Sequence, residues 1–92
     1  MKVKELLSDP FKWTQRAYAR DKIGRKTGPT SQDATCFCLK GAVYHCYPFD
    51  YDSIFSVLRN ELEKRYNNAS IVDFNDGVPY EKVRDLVNEL DI

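Results

Sequence analysis

Apolar residues recur at helical spacing in four stretches of the chain and lose that spacing between them. Tyr51, Ile54, Phe55, Leu58, Leu62 and Tyr66 make one stripe, which predicts a helix over 51–66. Asp50 and Asp52 at its start and Lys64 and Arg65 at its end suit the helix dipole, and Asn67-Asn68 is a stop. Tyr80, Val83, Leu86, Val87 and Leu90 predict a last helix over 79–90, with Pro79 in its first turn. Phe37, Gly41, Tyr44 and Pro48 share a face, with Cys38, Ala42, His45 and Phe49 beside it. They predict a helix over 32–47, capped by Thr30 or Ser31 and ended by Pro48. Val3, Leu6 and Leu7 predict a short helix over 2–8, broken at Asp9-Pro10 because proline has no amide hydrogen.

Two stretches lack the period. In residues 12–29, Trp13, Thr14, Tyr18 and Ile23 favour strand and Asp21-Lys22-Ile23-Gly24 suits a turn. Lys26-Thr27-Gly28-Pro29 excludes a helix interior. This stretch reads as a short hairpin or extended arm, although Ala17, Ala19 and the arginines also suit a helix. Residues 70–78 read as a connector packed on the core. The expected architecture is a mainly α, small α+β single domain over residues 1–92. It has three main helices, a short N-terminal helix and the hairpin or arm.

Composition adds limits. The chain has 92 residues and 13% aromatics, enough apolar area for a small core without staples. No run approaches the roughly 20 apolar residues of a membrane span. Met1 to Glu5 carry charge but no apolar signal region, and Cys36, Cys38 and Cys46 leave a thiol unpaired. Both features point to a reducing cytoplasm.

The net charge is zero, from 14 basic and 14 acidic side chains. The sum conceals a division. Residues 1–46 carry nine basic and four acidic side chains, and residues 47–92 carry five and ten. Most of the positive excess lies in 12–26, where Lys12, Arg16, Arg20, Lys22, Arg25 and Lys26 face one acid, Asp21. Trp13 and Tyr18 are interleaved with these cations, a composition suited to phosphates and stacked bases. The blander alternatives are a solvated surface or pairing with the chain's own acidic half. That half, with Asp50, Asp52, Asp73, Asp76, Glu81, Asp85, Glu89 and Asp91, spreads its charge over two helices and a loop.

Four signatures stand in order: Trp13-Thr14-Gln15 with Ala19-Arg20-Asp21 and Gly24; Phe37-Cys38 with Gly41-Ala42; Phe74-Asn75-Asp76; and Val83 in a final helix. Their order resembles a bacterial and phage family, domain of unknown function 6197, over roughly residues 11–90. The resembled pattern carries Gly where Arg16 stands and often Trp where Phe74 stands, and its first helix is longer. The resemblance implies a bacterial or phage cytoplasmic setting and no particular activity.

Other constellations carry little chemistry. Cys38 and His45 are seven residues apart, about 10 Å along a helix axis, too far for a nucleophile–base pair that needs about 3 Å. Cys36 and Cys38 would point to opposite sides of a helix, and with His45 and Cys46 they match no zinc spacing. Cys38-x-x-Gly41-Ala42 reads as a smooth strip for close approach of another backbone, with the arm that carries Trp13 the natural candidate. Asn75-Asp76-Gly77 reads as a turn or cap, with a tie between arm and core, or a ligand contact, as alternatives. The resulting expectation is a non-enzymatic module with no catalytic residue, metal or cofactor. It acts by charge complementarity on a protein complex in a bacterial cell, and inhibition of a host defence complex is the specific phage version. The alternative is a sponge or sensor for a nucleotide or other phosphorylated ligand. Candidate binding residues are Trp13, Arg16, Arg20, Arg25, Lys26, Asn75 and Asp76.

Overall fold

A computed structural model describes residues 1–92. In chain order the elements are α1 (Val3–Leu6), a 3-10 turn (Pro10–Lys12), β1 (Ala19–Arg20), β2 (Lys26–Thr27), β3 (Cys36–Phe37), α2 (Leu39–Cys46), α3 (Tyr51–Tyr66), α4 (Ile71–Gly77) and α5 (Tyr80–Leu90). This is a small α+β fold. No helix is long and apolar enough to cross a membrane.

The amphipathic stripes become the core. Phe55, Leu58 and Leu62 of α3 and Val83, Leu86 and Val87 of α5 are buried together with Val3, Leu6, Leu7, Leu39, Ala42 and Val43. Asn67 ends α3 in the left-handed conformation, and its amide donates to the Glu63 carbonyl at 3.0 Å. Helix α1 packs on α2 and α5, and α4 packs on α2 and α3.

The uncertain segment is a hairpin. β1 is central in an antiparallel sheet of order β2-β1-β3, with Ala19 opposite Thr27 and Phe37, and Arg20 opposite Lys26 and Cys36. Gly24, at φ +88°, closes the β1–β2 turn, where the Gly24 amide donates to the Asp21 carbonyl at 3.0 Å.

Two expectations need correction. The helix over 32–47 begins only at Leu39. The Ser31 hydroxyl accepts from the Asp33 amide at 3.1 Å, so it caps a local turn. Cys36 and Phe37 then pair with β1, and Cys38 is the N-cap, its Sγ accepting from the Gly41 amide at 3.2 Å. The connector over 70–78 is instead the helix α4. Ser70 caps it by accepting from the Asp73 amide at 3.1 Å, a serine–acid start of the usual kind. Asn75, Asp76 and Gly77 form the last turn of α4 and not a glycine-led turn, since Gly24 is the only glycine with positive φ.

Gly41 meets the predicted close approach of the arm, at Tyr18. A Cβ on Gly41 would lie 1.9 Å from the Tyr18 carbonyl oxygen, so the arm and α2 touch backbone to backbone.

Candidate functional site

Asn75 fixes the arm in place. It is fully buried, and its side chain uses both ends. Its Oδ1 accepts from the Trp13 indole at 2.7 Å and from the Leu39 amide at 2.9 Å. Its Nδ2 donates to the Thr14 carbonyl and to Asp76 Oδ1, each at 3.1 Å. One amide therefore joins the start of the arm, the first residue of α2 and the end of α4. Gln15 adds to the tie, its Nε2 donating to the Asn75 and Val78 carbonyls at 3.1 and 3.3 Å.

The next residue carries strain. Arg16 sits at φ +63°, a region that costs a side-chain-bearing residue roughly 1–2 kcal/mol. Its amide donates to Asp76 Oδ1 at 3.0 Å, which holds the turn. This is the position at which the resembled pattern carries glycine.

The four candidate binding cations of the arm divide into two groups. Arg20 is structural: its guanidinium donates to Thr14 Oγ1, the Gly24 carbonyl and the Gln15 carbonyl, all at 3.1 Å. Arg25 pairs with Asp21 at 3.1 Å, and its amide donates to the same carboxylate. Arg16 and Lys26 are exposed, and the side chain of neither has a partner within the chain. The acidic half does not neutralise them. Asp91 pairs with Lys2 and Lys4, Glu61 with Lys64 and Arg65, Glu89 with Arg65, and Asp85 with Arg84.

Arg16 and Lys26 border an open cleft of about 450 Å³ between the arm and α4. Asp76 is the third charged residue on its wall, and Ala17, Tyr18, Val72 and Cys38 supply apolar surface. The cleft thus gathers three of the sequence candidates, Arg16, Lys26 and Asp76. Trp13 and Asn75 form the lock beside it, and Arg20 and Arg25 brace the hairpin. The sequence pattern does not single out Val72, because 70–78 reads as a connector. Cys38 stands out in the sequence only as part of the small strip, because its place as an N-cap depends on where α2 begins.

Cys38 and Cys46 are poorly disposed to react. Burial pushes the Cys38 thiol above its ordinary pKa and the Cys46 thiol up to about 11. His45 is occupied elsewhere, with Nδ1 3.0 Å from the Pro29 carbonyl.

These features define a small α+β protein whose hairpin arm is pinned over its helices by a buried asparagine, leaving a cation-lined cleft beside the pin. The chain belongs to the family described as "Family of unknown function (DUF6197)", whose model matches residues 1–90. No curated protein and no solved structure matches it.

Proposed function

We propose that this protein is a non-enzymatic binding module that takes a small phosphate-bearing molecule in the cleft between the arm and α4. One observation carries the reading: Arg16 and Lys26, free of internal partners, border a concave site whose remaining wall is largely apolar. A guanidinium and an ammonium suit phosphate oxygens, and apolar surface suits the body of a ligand. The volume lies within the roughly 300–1,000 Å³ of small-molecule sites. Positive φ at Arg16 fits a functional position, because strained backbone persists where function uses it.

In a bacterial or phage cytoplasm, such a module acts as a sponge or sensor for a nucleotide signal. Charge-driven capture of a protein complex, including a defence complex, draws on the same cations. It is the weaker reading because Arg20 and Arg25 are already engaged within the hairpin.

Calorimetric titration with adenosine 5′-monophosphate tests the proposal. Arg16→Gly is the informative variant: it removes the guanidinium and places at φ +63° the residue that adopts it freely. Expected are measurable binding by the wild type, at least tenfold weaker binding by Arg16→Gly, and an unchanged or higher melting temperature. Unchanged affinity in Arg16→Gly, or no binding by the wild type, rejects the ligand reading. In the second case, Arg16-dependent capture of a protein complex selects the interaction module.

A further inference from the structure

Asp76 is an odd wall for a site that holds only an anion. Asp76 lines a cleft that also carries Arg16 and Lys26, yet its carboxylate forms an ion pair with neither. Instead Oδ1 accepts from the Arg16 backbone amide at 3.0 Å and from Asn75 Nδ2 at 3.1 Å. Both donors belong to the arm lock, and Asn75 is fully buried, so the carboxylate is fixed in orientation. Its second oxygen, Oδ2, receives no donor from the protein.

A fixed carboxylate oxygen without a donor repels phosphate and attracts N–H or O–H groups. Resting on the proposal above, we infer that the cleft selects a phosphomonoester of the nucleoside monophosphate class. The phosphate sits at Arg16 and Lys26, and a hydroxyl or amino donor on the nucleoside reaches Asp76 Oδ2. A ligand lacking that donor is selected against, because it leaves the acceptor desolvated and unpaired. Inorganic phosphate and polyphosphate chains lack the donor-bearing body and are poor ligands on this account. The site is charge-divided, cationic where the arm lines it and acidic where α4 does. This accounts for an acid that a purely cationic pocket would not contain.

The experiment is a titration of three probes, inorganic phosphate, phenyl phosphate and adenosine 5′-monophosphate, into the wild type, Asp76→Asn and Arg16→Gly. In Asp76→Asn the side-chain carbonyl still accepts from Arg16 and Asn75, while an NH₂ replaces the free oxygen. The wild type is expected to bind adenosine 5′-monophosphate at least tenfold more tightly than phenyl phosphate. Asp76→Asn is expected to abolish that gap by weakening the nucleotide about tenfold, and to bind inorganic phosphate at least as well as the wild type. If the wild type binds the nucleotide and phenyl phosphate alike, or Asp76→Asn leaves nucleotide affinity unchanged while Arg16→Gly reduces it, the donor requirement is wrong and the cation site stands. If no probe binds the wild type, both readings fall. Where Asp76→Asn does not fold, equal binding of the nucleotide and phenyl phosphate by the wild type still overturns the donor requirement.

Discussion

The arm, residues 13–37, and the helices α3 and α5 are held by different physics. These helices are held by burial of Phe55, Leu58, Leu62, Val83, Leu86 and Val87 in the common core, a non-directional force spread over many groups. The arm contributes Ala19 and Phe37 to the core, but its strands are two residues long and its position is set by hydrogen bonds. Asn75, Gln15 and the Arg16 amide make the ties to α4, and Arg20 braces the arm from within. Distributed burial tolerates local change, whereas a directional lock concentrates stability in a few atoms. The cleft lies along the locked region, so its shape depends on those atoms.

Asn75→Ala is the most severe way to break this contrast. It leaves the Trp13 indole N–H, the Leu39 amide and the Thr14 carbonyl without their partner. Each buried group orphaned in this way costs about 1–3 kcal/mol. Partial rehydration of the arm limits the total to about 3 kcal/mol by the same reasoning. Chemical denaturation measures the loss. Native-state hydrogen exchange should show the Thr14 and Cys38 amides, bonded to the Phe37 and Tyr18 carbonyls, losing protection before the amides of α3. Simultaneous loss in both regions would show that the arm is not a separate unit.

Gly41→Ala comes next. The new methyl group would lie 1.9 Å from the Tyr18 carbonyl oxygen and 2.7 Å from its carbon, both backbone atoms. That carbonyl also accepts from the Cys38 amide at 3.2 Å, so displacing it strains the β3–α2 junction. Overpacking costs about 1–3 kcal/mol or more, against about 1 kcal/mol gained in helix propensity. A net loss of about 2 kcal/mol by denaturation is expected, with the cleft disturbed. A stabilised Gly41→Ala would mean that the arm does not rest on α2.

The same contrast explains what could be read from the sequence. The stripes on α3 and α5 are repeated signals, and a period supported by several residues survives one exception. The small strip at Gly41 and the turn ending at Gly24 were legible because glycine has a steric meaning. The start of α2 was not legible: Ser31 is an equally good cap for a turn, and Cys36 and Phe37 are strand only because β1 lies beside them. Helix α4 is too short for a convincing period, and Asn-Asp-Gly is a stronger local signal for a turn. The division of the basic arm was invisible for a related reason. Arg20 and Arg16 are alike in sequence, and only the folded hairpin places carbonyls around one guanidinium and leaves the other at the cleft.

The smallest effect separates the two regions by pH. Asp91 ends α5 at φ +55°, and hydrogen bonds from Lys4 and Lys2, with the charges of both, hold its carboxyl at about 2, below the ordinary 3.8. A carboxylate depressed in the folded state stabilises fully above its unfolded pKa. That contribution fades as pH falls from about 3.8 towards about 2. The carboxylate is exposed, so the effect is modest and screened by salt. Asp91→Asn isolates the charge, because asparagine also tolerates the left-handed conformation. At low salt the wild type should melt slightly above the variant at neutral pH, and the two curves should converge between pH 4 and 2. High salt should narrow the gap at neutral pH. Although burial raises it, hydrogen bonds from Arg25 and Ile23 hold the Asp21 carboxyl below its ordinary range, so acid also loosens the β1–β2 turn. The arm's main lock is a neutral amide, so Asn75 should keep its bonds to Trp13 and Thr14 while the α1–α5 end loosens through Asp91. Two-dimensional NMR across the titration checks this. Early loss of the Trp13 indole resonance, ahead of Val3 and Ile92, would place the acid-sensitive contact in the arm instead.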